Sequence, residues 1–158
     1  MTAQFRLDAA REQLFDRAGR RFDPVTRAWQ AAEPPVAATS GDAVDAIAAA
    51  TWLQRESAHR LRVPIGVIGP REASGTQMIA ALAVGELLAE CGFVVVCGGR
   101  QGVMQAVCEG VARNGGTSIG LLPETDPTYA NHYVSIALAT GIGEARNALI
   151  ARASLCLV

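Results

Sequence analysis

Apolar residues in this chain come in short, nearly continuous runs separated by longer stretches of helical period. Runs at 63–68, 93–97, 117–122, 133–138 and 154–158 predict five strands buried on both faces. Stretches at 76–90, 101–114 and 143–152 predict helices between them, with a loop at 123–131. Repeated strand–helix alternation predicts an α/β fold: an open parallel sheet with helices on both faces. Gly92 and Gly115-Gly116 stand where helix C-terminal glycines belong.

The first 60 residues do not share this rhythm and read as an appendage, with the sheet domain spanning 61–158. Gln13-Leu14-Phe15-Asp16 and Arg21-Phe22-Asp23 flank Ala18-Gly19 and predict a hairpin. Asp23-Pro24 begins another turn before Thr26-Arg27-Ala28-Trp29. Residues 31–42 are rich in Ala, Pro, Ser and Gly and read as a linker. A helix over 43–56, capped by Asp42 or Ser40, follows from the spacing of Val44, Ile47, Ala48, Thr51, Trp52 and Leu53, with Trp52 packing rather than stacking on a ligand.

Four of the five strands run into a glycine-rich or polar turn. In a parallel sheet these turns share the edge beyond the strand carboxyl ends, where open α/β folds bind ligands. The first turn offers Gly69, Pro70, Arg71, Ser74, Gly75 and Thr76 ahead of a helix N-terminus. The second packs Gly98, Gly99 and Gly102 around Arg100, just ahead of Met104. Such glycine density is costly unless the backbone bends sharply or approaches a ligand. Arg100 suits either a bidentate phosphate contact or a structural salt bridge. Pro123 and Glu124 end the third strand at the same edge. The fourth turn supplies Gly141, Gly143, Glu144, Arg146 and Asn147. Arg146 opposes the dipole preference of a first helical turn, and a residue placed against local preference points to function. Asn131 and His132 lie in the loop that would partly cover this edge.

The chain has 158 residues, half of them apolar, yet no run long enough to cross a bilayer. With Met1-Thr2-Ala3-Gln4-Phe5-Arg6 leading into charged sequence, no secretory signal is visible, so a cytoplasmic location is expected. A net charge of −1 gives no general attraction to nucleic acid or an acidic membrane. All 14 basic residues are arginine. Without lysine there is no Schiff-base chemistry and no Walker-type phosphate lysine, so an anion must be held by backbone N–H groups, helix N-termini or arginine. Cys91, Cys97, Cys108 and Cys156 form no CxxC pair and read as free thiols, with Cys97 and Cys156 in buried strands. His59 and His132 have no ligand partner at helical spacing, so no metal site is expected.

Several segments between 62 and 158 resemble the LOG-like family, formerly misnamed lysine decarboxylases, within the superfamily that includes DprA. Gly98-Gly99-Arg100-Gln101-Gly102-Val103-Met104 is similar to its GGxxGxM element. Gly115-Gly116 with Ile119-Gly120-Leu121-Leu122-Pro123 is similar to its GG-x-x-IG-x-x-P segment. Gly143-Glu144-Ala145-Arg146-Asn147 resembles the variant of the branch near molybdenum-cofactor carrier proteins. The resemblance implies a Rossmann-like fold, a homodimer, and a phosphate-bearing ligand at the sheet's carboxyl edge: the molybdenum cofactor or a nucleoside monophosphate, with no further cofactor required. Activating members hydrolyse the N-glycosidic bond of nucleoside 5′-monophosphates, using an arginine at the place of Arg146 and a glutamate from a later PGGxGTxxE motif. That motif normally follows the strand at 155–158, so the chain reads as truncated before it. The first expectation is therefore a carrier of a nucleotide-like phosphorylated ligand. The alternative is a phosphoribohydrolase, with Glu144 or Glu124 standing in for the acid. A nicotinamide-dependent dehydrogenase is disfavoured by the lack of GxGxxG and by Cys97 at the end of the second strand. Single-strand DNA binding is disfavoured by net charge and by the few aromatics near the edge.

Overall fold

A computed structural model describes residues 4–32, 41–59 and 61–158. The chain forms two compact units, Met1–Leu61 and Arg62–Val158.

The first unit is a five-stranded antiparallel sheet in the order β4-β3-β2-β1-β5. Its strands are β1 (Phe5–Asp8), β2 (Gln13–Asp16), β3 (Arg21–Asp23), β4 (Ala28–Gln30) and β5 (Asp42–Val44). The predicted hairpin is β2–β3, and β1 and β5 are further strands that the sequence pattern does not predict. Asp42, expected as linker or helix cap, pairs with Leu7 inside β5. The helix α1 (Ala46–Thr51) is capped by Asp45, whose carboxylate accepts from the N–H of Ala48 at 2.8 Å. Most of the linker, with Ser40, lies outside the described residues. The helix continues as a π turn over Trp52–Glu56. Trp52 is buried with Leu14 and Ala49, and Phe5, Phe22 and Trp29 pack around them. It therefore serves as packing.

The second unit holds a four-stranded parallel sheet in the order β6 (Ile65–Gly66), β7 (Val95–Cys97), β8 (Ser118–Leu122), β9 (Ile136–Ala139). Leu157 adds a parallel bridge beside Gly66, on the far side of β6 from β7. The predicted strand at 63–68 is thus shorter and the last one is a single bridge. The first extends by irregular bonds, such as Ile68 N–H to the Val158 carbonyl at 3.0 Å. The helices α2 (Gly75–Glu90), α3 (Val103–Arg113) and α4 (Arg146–Ala153) connect the strands.

Successive side chains of β7 explain why both faces are covered. Val95 and Cys97 pack with Ala81, Ala89, Val103, Val107, Cys108 and Val111 of α2 and α3. Val96 points the other way and packs with Leu121 and Ile150 of α4. This is the Rossmann-like α/β arrangement. Cys91, Cys97 and Cys108 are buried, but Cys156 is exposed, contrary to expectation, because it sits on the sheet edge beside Leu157. Among the described residues no helix is long and apolar enough to cross a membrane.

Candidate functional site

The turns after β6, β7, β8 and β9 meet around one cleft of about 480 Å³. Arg71, Arg100, Met104, Pro123, Glu124, Glu144 and Arg146 line it, so each of the four turns contributes. Backbone bonds tie the turns together. The Val103 N–H donates to the Pro70 carbonyl at 3.1 Å, joining the first turn to the second. The Gly141 N–H donates to the Glu124 carbonyl at 2.9 Å and the Gly143 N–H to the Pro123 carbonyl at 3.1 Å, joining the third to the fourth.

The glycine-rich turn holds the second loop close to its neighbours. Gly102 has φ +72°, and a Cβ there would collide with the carbonyls of Pro70 and Arg71. Gly98 backs the cleft: a Cβ would lie 2.6 Å from Met104 Sδ and 3.0 Å from Arg146 Nη2. Asn131 clamps the same turn from below. It is buried, and its Nδ2 donates to the carbonyls of Gly99 at 3.1 Å and Arg100 at 3.0 Å. Asn131, expected in a covering loop, instead supports the floor. His132, expected beside it, is exposed.

Arg146, the first residue of α4, is only 5% exposed. Its Nη1 donates to Glu144 Oε2 at 3.1 Å and to Asn147 Oδ1, and Asn147 Nδ2 also donates to Glu144 Oε2 at 3.1 Å. Its Nε is buried without a partner among the described residues. Arg100 forms an ion pair with Glu124 and lies over the Tyr129 ring, 5.7 Å from its centroid. Both readings of Arg100 therefore have a physical basis: it makes a salt bridge, and that salt bridge faces the cleft. Arg100 Nε and Glu124 Oε2 are likewise buried without partners among the described residues. Three guanidiniums against two carboxylates leave the lining net positive.

Other predicted residues stand at one remove. Gly69 abuts Val103, and Gly99 is buried against Gly120. Ser74 is occupied as the cap of α2: its Oγ accepts from the Gln77 N–H at 3.3 Å, and Gln77 Oε1 accepts from the Ser74 N–H at 2.9 Å. Gly75 and Thr76 are exposed in the first turn of α2 and do not line the cleft. Gly141 and Gly143 both take positive φ and shape the fourth turn.

Behind the glycine-rich turn, Cys97 and Cys108 place their sulfurs 3.5 Å apart, and Cys97 Sγ accepts from the Gly99 N–H at 3.4 Å. The hydrogen bond to Cys108 and burial hold the Cys97 thiol well above its usual range. The same bond brings Cys108 down to about 7. Among the described residues no cluster of His, Cys, Asp and Glu is arranged to hold a metal ion.

A family model described as the SLOG cluster4 family matches residues 62–158. The chain belongs to this family. The match covers the whole sheet unit, including every turn that lines the cleft, and agrees with the LOG-like motifs. An uncharacterized protein of Archaeoglobus fulgidus is 39% identical over 94 residues, which cover 60% of this chain and 62% of that relative. Two solved structures are similar to this SLOG unit. The molybdenum cofactor binding protein of the phototrophic bacterium Rippkaea orientalis shares 35% identity with a TM-score of 0.61, over 63% of this chain and 62% of that one. The Moco carrier protein of Chlamydomonas rheinhardtii shares 34% identity with a TM-score of 0.55, over 62% of this chain and 60% of that one. The chain thus spans about three fifths of the length of each of these relatives.

Proposed function

We propose that this protein binds and carries the molybdenum cofactor, a phosphorylated pterin bearing the metal, in the cleft at the sheet's carboxyl edge. The observation that carries this reading is the buried guanidinium of Arg146, whose Nε–H has no partner among the described residues while the group lines a cleft shared with Arg71 and Arg100. A buried N–H left unmet costs free energy, and an anion in the cleft would meet it. Arg146 and Arg71 would hold the phosphate, and the backbone at Gly98–Gly99 would allow close approach. The likeness to two structures described as molybdenum cofactor binding or carrier proteins supports the choice of ligand. As part of the same proposal, the protein is a cytoplasmic homodimer whose partner is this small ligand, with no nucleic acid or membrane involved.

The test is to purify the chain from cells that make the cofactor and to measure molybdenum and phosphorus per chain. We expect both in the wild type and background amounts in Arg146→Ala. Equal molybdenum in the two proteins, or none in either, would overturn the reading. A second reading, hydrolysis of nucleoside 5′-monophosphates, rests on Glu144, whose carboxylate lines the same cleft beside Arg146. Release of adenine and ribose 5-phosphate from adenosine monophosphate at enzymatic rates would favour it.

A further inference from the structure

We propose that Glu124, with the Arg100 it pairs, is the specificity element of the cleft. It selects ligands that carry hydrogen-bond donors, such as an amino-heterocycle edge, as well as a phosphate. This deepens the carrier reading and rests on it for the anion.

The lining divides by chemistry. Arg71 is exposed, and Arg146, itself buried, donates only to Asn147 and to Glu144, whose side chain is 79% exposed, so a phosphate competes there with weakly held partners. Arg100 differs. Its Nη1 is already paired with Glu124 Oε1, and the two side chains are only 16% and 28% exposed. An anion arriving at Arg100 would meet a carboxylate already there and would have to displace it. A phosphate therefore gains less at this end of the cleft than at the other.

Arg100 Nε is also unmet among the described residues, but what this end alone offers is an unmet acceptor. Glu124 Oε2 accepts nothing among the described residues, and it is shielded from solvent. A buried carboxylate oxygen without a donor is costly, and a ligand N–H or O–H that supplied one would gain a charge-assisted bond. The carbonyl of Glu124 is fixed by the Gly141 N–H, and the side chain is tied to Arg100, so the acceptor is held in place rather than swung by the loop. An anion-reading end and a donor-reading end in one cleft define a ligand with a phosphate at one end and N–H or O–H donors at the other.

Calorimetry with three probes tests this on the wild type: ribose 5-phosphate, inosine 5′-monophosphate and guanosine 5′-monophosphate, which share the phosphate and differ in ring donors. We expect guanosine monophosphate to bind roughly tenfold tighter than ribose 5-phosphate, with inosine monophosphate between them. In Glu124→Gln, guanosine monophosphate should weaken roughly tenfold while ribose 5-phosphate holds or tightens. Equal binding of the three probes by the wild type overturns the proposal. So does a Glu124→Gln effect that is the same on guanosine monophosphate and ribose 5-phosphate, as a merely structural ion pair would give. The wild-type series decides the matter if the variant does not fold. Binding of none of the probes by the wild type would overturn the anion reading of the cleft together with this one. Binding of all three without discrimination would leave the anion reading standing and remove only the role of Glu124.

Discussion

Replacing Arg146 with methionine should weaken the site and strengthen the fold. In the free protein the guanidinium is 5% exposed, its Nε–H is unmet among the described residues, and its two partners, the Glu144 carboxylate and the Asn147 amide, are both exposed. An ion pair with so exposed a partner is worth under about 1 kcal/mol. A buried unmet donor costs about 1–3 kcal/mol. Methionine fills a similar volume without the polar group, so Arg146→Met should gain about 1 kcal/mol. That corresponds to a rise in Tm of about 4–8 °C for a unit of this size. Binding should move the other way. A charge-assisted bond to phosphate is worth about 1.5–3 kcal/mol, which is roughly a 10- to 150-fold loss of affinity. Thermal scans in phosphate-free buffer and calorimetry with ribose 5-phosphate read the two effects separately. A lower Tm with unchanged affinity would refute the reasoning, since Arg146 would then be structural.

Gly102→Ala forces a side chain onto a backbone with φ +72° and against the Pro70 and Arg71 carbonyls. It should cost at least about 2 kcal/mol in urea unfolding and abolish ribose 5-phosphate binding. The first unit should lose stability in acid. The Arg11 side-chain bond holds Asp8 below its usual 3.8, and the Thr26 hydroxyl does the same for Asp23. For Asp16, burial pushes upward but the backbone and side-chain bonds from Arg20 prevail. With folded values below the unfolded one, the stabilisation is complete above pH 3.8 and is lost as the pH falls below it. Both tryptophans, Trp29 and Trp52, lie in this unit, so their fluorescence reports its acid transition; a signal flat down to pH 2 would contradict the shifts. Of the four thiols only Cys156 is exposed, so a thiol reagent should titrate one quickly in native protein and all four in denaturant. Two or more fast thiols would contradict the burial of Cys91, Cys97 and Cys108.

The sheet unit was legible because its signals are local. Buried parallel strands need continuous apolar runs, and close turns need glycine, so Val94–Cys97 followed by Gly98-Gly99 declares both strand and turn. Arg146 was legible because it breaks the dipole preference of its own helix. The partners that set the chemistry were harder to read, because they meet only in three dimensions. Nothing near Glu124 in sequence says that it pairs with Arg100, and nothing near Asn131 says that it holds the carbonyls of Gly99 and Arg100. Ser74 and Thr76 carried the right hydroxyls, but the capping box around Ser74 claimed the first and exposure removed the second from the lining. In the first unit, β1 (Phe-Arg-Leu-Asp) and β5 (Asp-Ala-Val) are too short to show a period, and tertiary pairing supplied what propensity did not.

A crystal structure of the protein with ribose 5-phosphate tests most directly whether the four turns converge on a single anion. The phosphate should lie in the cleft within hydrogen-bonding distance of Arg146 Nε and Arg71, beside the Gly98 backbone. A phosphate bound elsewhere, with Arg146 still paired only to Glu144 and Asn147, would contradict it.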